Sequence, residues 1–291
     1  MTRLIILVAA CLMLFSDGIK AQELSYGFRV GLNVSTLLAD KEELNGETLE
    51  SFSTNTGFHV GGGVRVAFSE LWGLRSEIVF TQKGTKKTFS GPSFFVFQDP
   101  NGDIVSMGDK SISLNISNAY LEIPVMVYGK LGKKIEVFGG VYGSFLVGST
   151  ATGELIYENG TIPNNNNVIE KLQLTLDYNY NKDGAGDLIN GVENIDVQVG
   201  NENVEVPNTL SAYYFLDEDQ KDGKPFKVFD AGLSAGAAYF LNGGLYFSAI
   251  AQYGLLDVSN SSLDFSNTVI NTTRDDQDTN LSFQFSVGFS F

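Results

Sequence analysis

The chain has 291 residues, with 19 basic against 34 acidic side chains and a formal net charge of −15 at pH 7. So large an excess of carboxylates argues against nucleic acid or anionic lipid headgroups as a partner. The single cysteine, Cys11, lies in a leader segment, so the rest of the chain does not depend on disulfides.

Residues 1–21 read as a signal peptide. Arg3 supplies the positive start, residues 4–15 the apolar centre, and Ile19-Lys20-Ala21 a small residue for cleavage before Gln22. Val8-Ala9-Ala10-Cys11 has the form of a lipoprotein box, but the apolar run continues past it to Phe15. That run is too short to cross a bilayer as a helix, and no later stretch is long and apolar enough.

Residues 22–291 then divide into eight alternating segments. The first, 24–37, sets Tyr26, Phe28, Val30, Leu32 and Val34 on one face and Arg29, Asn33 and Ser35 on the other. The second, 56–68, opposes Phe58, Val60 and Val64 to His59 and Arg65. In the third, 72–83, Leu74, Ile78 and Phe80 oppose Arg75, Glu77, Thr81 and Lys83. The fourth, 111–130, and the fifth, 135–149, flank a tight basic turn. Leu121, Ile123 and Val125 back onto Glu122, and Ile135, Val137 and Val141 onto Glu136. The fourth changes phase near Asn118, where Ile112, Leu114 and Ile116 give way to Ala119 and Leu121. A bulge, or a strand running on beyond a membrane, would produce that change. The sixth and seventh are 226–241, with Asp230 on the polar face, and 244–258. The eighth, 280–291, alternates Leu281, Phe283, Phe285, Val287, Phe289 and Phe291 with Ser282, Gln284, Ser286, Gly288 and Ser290.

Period two means strand, and an apolar face backed by a mixed polar one is the pattern of a transmembrane barrel. The connections agree. Those at 69–71, 131–134 and 242–243 are short; those at 38–55, 84–110, 150–225 and 259–279 are long. The fold class is therefore all-β: an eight-stranded antiparallel up-and-down transmembrane β-barrel. Its short turns are periplasmic and its long loops extracellular, with both termini periplasmic and the barrel in the outer membrane. Tyr26, Phe68, Trp72, Tyr128, Tyr239, Phe240 and Phe291 fall where an aromatic girdle would meet the periplasmic interface. Residues 150–225 exceed a plain connector. They form hairpins extending the barrel, a cap, or a solvated excursion.

Tyr120-Leu121-Glu122-Ile123-Pro124 followed by a short basic turn resembles a strand of the outer-membrane β-barrel family of Bacteroidetes often called PorT-like. The opening Gly27-Phe28-Arg29-Val30-Gly31-Leu32-Asn33 and the ending Phe285-Ser286-Val287-Gly288-Phe289 fit the same resemblance. It covers the chain after the leader except residues 150–225. It implies an eight-stranded outer-membrane barrel and no particular activity.

By parity Arg29, Arg65, Arg75, Glu77, Glu122 and Glu136 point into the lumen, where charges so close should pair as a plug. Loss of Glu122 should then leave arginine charge uncompensated. Phe285, Phe289 and Phe291 should face lipid and form the insertion signal read by the barrel-assembly machinery. Gln284, facing inward, should tolerate alanine. His59, the only histidine, reads as an interior hydrogen-bonded residue, for no neighbouring serine motif marks a triad. Asp177, Asn179, Asn181 and Asp183 are spaced as in calcium loops, but Asn190 stands where the closing glutamate would be. No cofactor or metal is expected. The expected role is structural or interactive, adhesion or assembly, with the acidic loops meeting a protein partner and the barrel wall meeting outer-membrane lipid and lipopolysaccharide. A narrow pore, or a lipid-modifying enzyme, is the alternative.

Overall fold

A computed structural model of the chain describes residues 23–98, 102–162, 165–189, 191–218, 220–241, 244–270 and 272–291. The signal-peptide reading of 1–21 and the short turn at 242–243 lie outside them. Eight long strands form the barrel: β1 Glu23–Leu38, β2 Glu50–Ala67, β3 Trp72–Phe97, β4 Ile104–Leu131, β5 Ile135–Ile162, β6 Phe229–Phe240, β7 Leu245–Gly254 and β8 Thr279–Ser290. Each pairs antiparallel with its neighbour in sequence, and β1 pairs with β8. The ring of eight strands therefore closes without an open edge, so neighbouring strands satisfy one another's backbone groups without disulfides. Among the described residues no helix is long and apolar enough to cross a membrane, and the crossing is made by strands.

The lipid-facing belt follows from alternation. Phe28, Val30, Leu32, Val60, Ile78, Val127, Val141, Leu233, Phe247 and Phe285 are all exposed on the outer wall, while their sequence neighbours are buried or half-buried. Some inward positions are glycine because the lumen is crowded. A Cβ on Gly63 would lie 2.6 Å from Glu77 Cγ, and one on Gly31 would lie 2.8 Å from His59 Cε1.

Three strands are far longer than the alternation suggests. β3 has 26 residues and β4 and β5 have 28 each, whereas about 9–11 residues cross a bilayer. The connection expected at 84–110 is therefore mostly strand, closing in a hairpin after Phe97. The connection at 38–55 is also shorter than expected, since β2 already begins at Glu50. Beyond the belt the wall turns inside out: Phe89, Phe95, Phe97, Leu114 and Ile116 point inward, and polar residues such as Lys86 and Asn115 point outward. Where the wall leaves lipid for water, an ordinary apolar interior replaces the apolar exterior.

The strands accomplish this reversal in two ways. In β4, even-numbered residues face inward from Ser106 to Tyr128, and along that run the apolar residues switch from even to odd positions. This is the phase change at Asn118, and β4 itself does not bulge there. The extra residue sits on β5, where Ala119 pairs with Gly148 but Tyr120 pairs with Leu146, leaving Val147 over. β2 likewise shifts register between Thr54 and His59. A bulge moves side chains to the other face while the sequence keeps its alternation.

Residues 150–225 are largely folded. Leu172–Asn179 pairs with the outer part of β5, Thr209–Leu210 adds to it in parallel, and Asn194–Val199 pairs with Glu202–Pro207. Leu174, Leu176, Val197, Val199, Val204 and Val206 bury themselves against Phe95, Leu114, Leu155 and Tyr157 of the lengthened wall. The result is a second core above the lumen, at the end of the barrel that carries the long connections, called here the loop end. Asp183, in the stretch with calcium-loop spacing, accepts hydrogen bonds from the backbone of Asn179 and Ala212 and so braces a turn.

Candidate functional site: a filled lumen beneath a loop-end cavity

The six charges expected in the lumen are all inside it, and five form one chain. Arg29 Nε donates to Glu77 Oε2 at 2.6 Å, and Arg75 donates to the other oxygen of Glu77. Arg75 Nη1 and Arg65 Nη2 both donate to Glu136 Oε1, at 3.2 and 2.6 Å. Rings enclose the chain. Arg75 lies 4.3 Å from the centre of Phe138, and Arg65 sits among Tyr128, Phe240 and Tyr246 at 5.2–5.8 Å. Tyr128 and Phe240 therefore leave the aromatic girdle proposed above. They point inward because a buried guanidinium gains from ring faces when water is scarce. Tyr26, Phe68, Trp72, Tyr239 and Phe291 remain on the outer wall.

Glu122 does not join the arginines. It pairs with Lys83 at 2.9 Å, and Lys83 also faces Asp230 at 3.6 Å. The expectation of an uncompensated arginine on loss of Glu122 is corrected accordingly, because Glu122 sits nearer the loop end than the arginine layer. Gln252 donates to Glu122 at 2.6 Å, Asn280 to Asp230 at 3.0 Å, and Tyr142 to Asp230 at 3.3 Å. Two glutamines join the layers: Arg29 donates to Gln284 at 2.9 Å, and Gln284 donates to Gln252 at 3.0 Å. Gln284 thus bridges the two layers, so its alanine variant is expected to cost more than its inward parity alone suggested. Four cations here face four carboxylates, and the layers draw side chains from all eight strands. A cavity beside the arginine layer measures about 10 Å³, room for a single water at most.

His59 links the network to β1 and β8. Its Nδ1 lies 2.6 Å from Asn33 Oδ1 and its Nε2 lies 2.7 Å from Ser286 Oγ. Asn33 spends its amide donors on Thr81, Phe58 and Gln82. Its Oδ1 must therefore accept, which assigns the proton to Nδ1 and makes Ser286 the donor to Nε2. The order Ser286–His59–Asn33 has the outline of a nucleophilic triad, but Ser286 also accepts from Arg29. All three side chains are buried, so an ester has no route to the serine, and the set works as a brace. Phe285 and Phe291 are exposed on the lipid side, and Phe289 is half-buried between Phe28 and Phe291.

The loop end holds a cavity of about 370 Å³, partly open to solvent. Its wall is rich in rings and aliphatic chains, among them Phe52, Phe89, Leu114, Ile116, Leu155 and Tyr178. On one side the wall carries a cluster of charges. Glu50 binds Lys87 at 2.6 Å and Arg274 at 2.7 Å, and Arg274 also binds Asp276 at 2.6 Å. Glu42 is held separately by Ser266, Asn267 and Thr268. Burial opposes its charge, but those hydrogen bonds prevail and hold the carboxyl down to about 2. Nothing in the alternation marks these residues, because they are united only when residues 40–50 and 259–279 fold back over the barrel. Lys83 and Asp230, by contrast, occupy inward positions and carry the same signal as the arginines.

Burial, then the neighbouring carboxylates of Asp276 and Asp264, push Asp278 up to about 7. A carboxyl group raised from its usual 3.8 supports the fold fully below that value and withdraws support as pH rises through about 7. Asp278→Asn is therefore expected to flatten the pH dependence of loop-end opening over that interval. The stabilisation at neutral pH should be on the order of a few kcal/mol, at roughly 1.4 kcal/mol for each pH unit between 3.8 and about 7. Hydrogen exchange of the Val258 amide, which is bonded to the Asp278 carbonyl, checks it; an unchanged pH profile would contradict the assignment.

The family model described as outer membrane protein beta-barrel domain matches residues 20–260. The chain belongs to that family. Its place is therefore the outer membrane. Among solved structures this barrel-domain protein is similar to Ail of Yersinia pestis in complex with the heparin analogue sucrose octasulfate. That match has 10% identity, covers 92% of this chain and 99% of that one, and has a TM-score of 0.37. It is also similar to OprG of Pseudomonas aeruginosa, at 10% identity, 94% and 99% coverage and a TM-score of 0.30. Neisserial surface protein A shows 8% identity, 92% and 97% coverage and a TM-score of 0.30. No curated protein matches the chain.

Proposed function

We propose that this outer-membrane barrel is closed, performs no catalysis, and acts through its loop end as an interaction protein at the cell surface. The observation that carries the reading is the lumen, where two ionic layers engage all eight strands and the adjacent cavity has room for no more than one water. A filled lumen leaves the folded loop end as the surface able to recognise anything. In this reading residues 1–21 direct export and are removed. Both ends stay in the periplasm, the loop end faces outward, and the relatives are the PorT-like barrels of Bacteroidetes. Phe285, Phe289 and Phe291 serve the barrel-assembly machinery as an insertion signal, and the outer wall contacts membrane lipid and lipopolysaccharide. The acidic loops meet an adhesion or assembly partner.

Two measurements test this. Purified protein in a planar bilayer should show no steady conductance; a stable ohmic current would favour a narrow pore instead. The only native cysteine is in the leader, so single cysteines can report orientation. Leu188→Cys, at an exposed loop-end position, should react with a membrane-impermeant maleimide on intact cells, and Lys133→Cys in the short turn should not. The reverse pattern would sink the outward loop end.

A further inference from the structure

Among the described residues, the loop-end cavity contains one cation that the fold leaves unused. Lys110 occupies an inward position on β4 and lines the cavity together with Leu114 and Ile116. It is more than nine-tenths buried and makes no hydrogen bond or ion pair among the described residues. Its ammonium lies 4.8 Å from the centre of the Phe94 ring. The other cations on the wall are engaged, Lys87 by Glu50 and Arg274 by Glu50 and Asp276.

None of the nearby carboxylates pairs with it, Asp264 lying beside Lys87 and Arg274 instead. Both oxygens of Glu42 already accept hydrogen bonds from Ser266, Asn267 and Thr268. The free oxygens of Asp276 and Asp278 have no exposed surface. An ammonium buried without a partner opposes folding, and such groups concentrate where a ligand supplies the missing charge. Burial brings Lys110 down to about 8, against the pull of Glu42, so it remains a cation at neutral pH.

We propose that the loop-end cavity binds a small amphipathic carboxylic acid, its apolar body against Phe89, Leu114, Ile116 and Leu155 and its carboxylate paired with Lys110 Nζ. The volume lies at the lower end of the range of about 300–1,000 Å³ for small-molecule sites. The cavity sits above the lipid belt behind a polar outer face, so its ligand arrives from water. This names a ligand for the surface role proposed above and rests on that reading.

The test is calorimetric titration of the full mature protein in nanodiscs of zwitterionic lipid, with empty discs subtracted. Phenylbutyrate should bind saturably, and its amide and the corresponding phenylbutylamine should bind at least about tenfold more weakly. Lys110→Met keeps the aliphatic stem. It should cost the acid about tenfold or more and leave the amide unchanged. It should also raise the unfolding temperature, whereas loss of a structural lysine would lower it. Leu114→Trp, which fills the cavity, should remove binding of all three compounds. Equal affinity for acid and amide, preference for the amine, an unchanged Lys110→Met, or no saturable binding would each overturn the proposal. An open lumen or an inward loop end would fail in the conductance and labelling measurements, which do not depend on this titration.

Discussion

Glu77→Gln is expected to lower the unfolding free energy by about 3–5 kcal/mol, the cost of breaking a buried ion pair from one side. Glu77 receives Arg29 on one oxygen and Arg75 on the other. Glutamine offers one acceptor and brings two donors of its own, so two guanidinium groups would share a neutral amide inside the wall. Urea unfolding from lipid vesicles, followed by the fluorescence of the single tryptophan, Trp72, measures it. Arg29→Gln added to Glu77→Gln should recover part of the loss, because one of the stranded charges goes with it. A cost near zero for Glu77→Gln would mean that the arginines are hydrated and the two layers do not seal the lumen.

Phe285→Arg is expected to cost about 2–4 kcal/mol and to reduce stable assembly, since the residue lies near the middle of the lipid belt. Phe285 is 56% exposed on the outer wall and pairs with Leu32 on one side and Ala249 on the other. The adjacent Gln284 supplies the contrast. Its alanine variant should cost about 1–3 kcal/mol for a different reason, the unpaired buried donor it leaves on Arg29 and the unpaired acceptor oxygen it leaves on Gln252. Heat-modified migration on gels and the yield of folded barrel in membranes read both. If Phe285→Arg assembles as well as wild type, the face assigned to lipid is wrong.

Much of the barrel was legible because lipid and lumen impose opposite demands on alternate residues. The pairing of β1 with β8 follows from the stripe that ends in Phe291, and the inward arginines and glutamates follow from the same parity. The lengths of β3 to β5 were obscured because the residues that continue them face new surroundings. Phe89, Phe95 and Phe97 keep a strand's alternation, but on the opposite parity from Ile78 and Phe80, which looks like an interruption. On β5 the opposite happened. Val147 absorbs the reversal, so apolar residues recur at odd-numbered positions from Val137 to Tyr157 and conceal a change of face. The cavity gave no signal at all. Lys110 and Glu50 are ordinary polar residues until the wall around them becomes an interior, and nothing local specifies that.

The reversal of the wall also limits how such proteins can exchange parts. A loop end stitched into the same strands as the membrane segment cannot be swapped like a detachable head. A crossover placed above Val147 in β5, or above the irregularity between Thr54 and His59 in β2, inherits a phase set below it. A donor segment whose junction is one residue out of step would turn its greasy side to water and its polar side to the cavity. Recombination among relatives is therefore tolerated only at joints that conserve parity across these two bulges, and a chimera designed without regard to them would insert in the bilayer yet carry an unfolded crown.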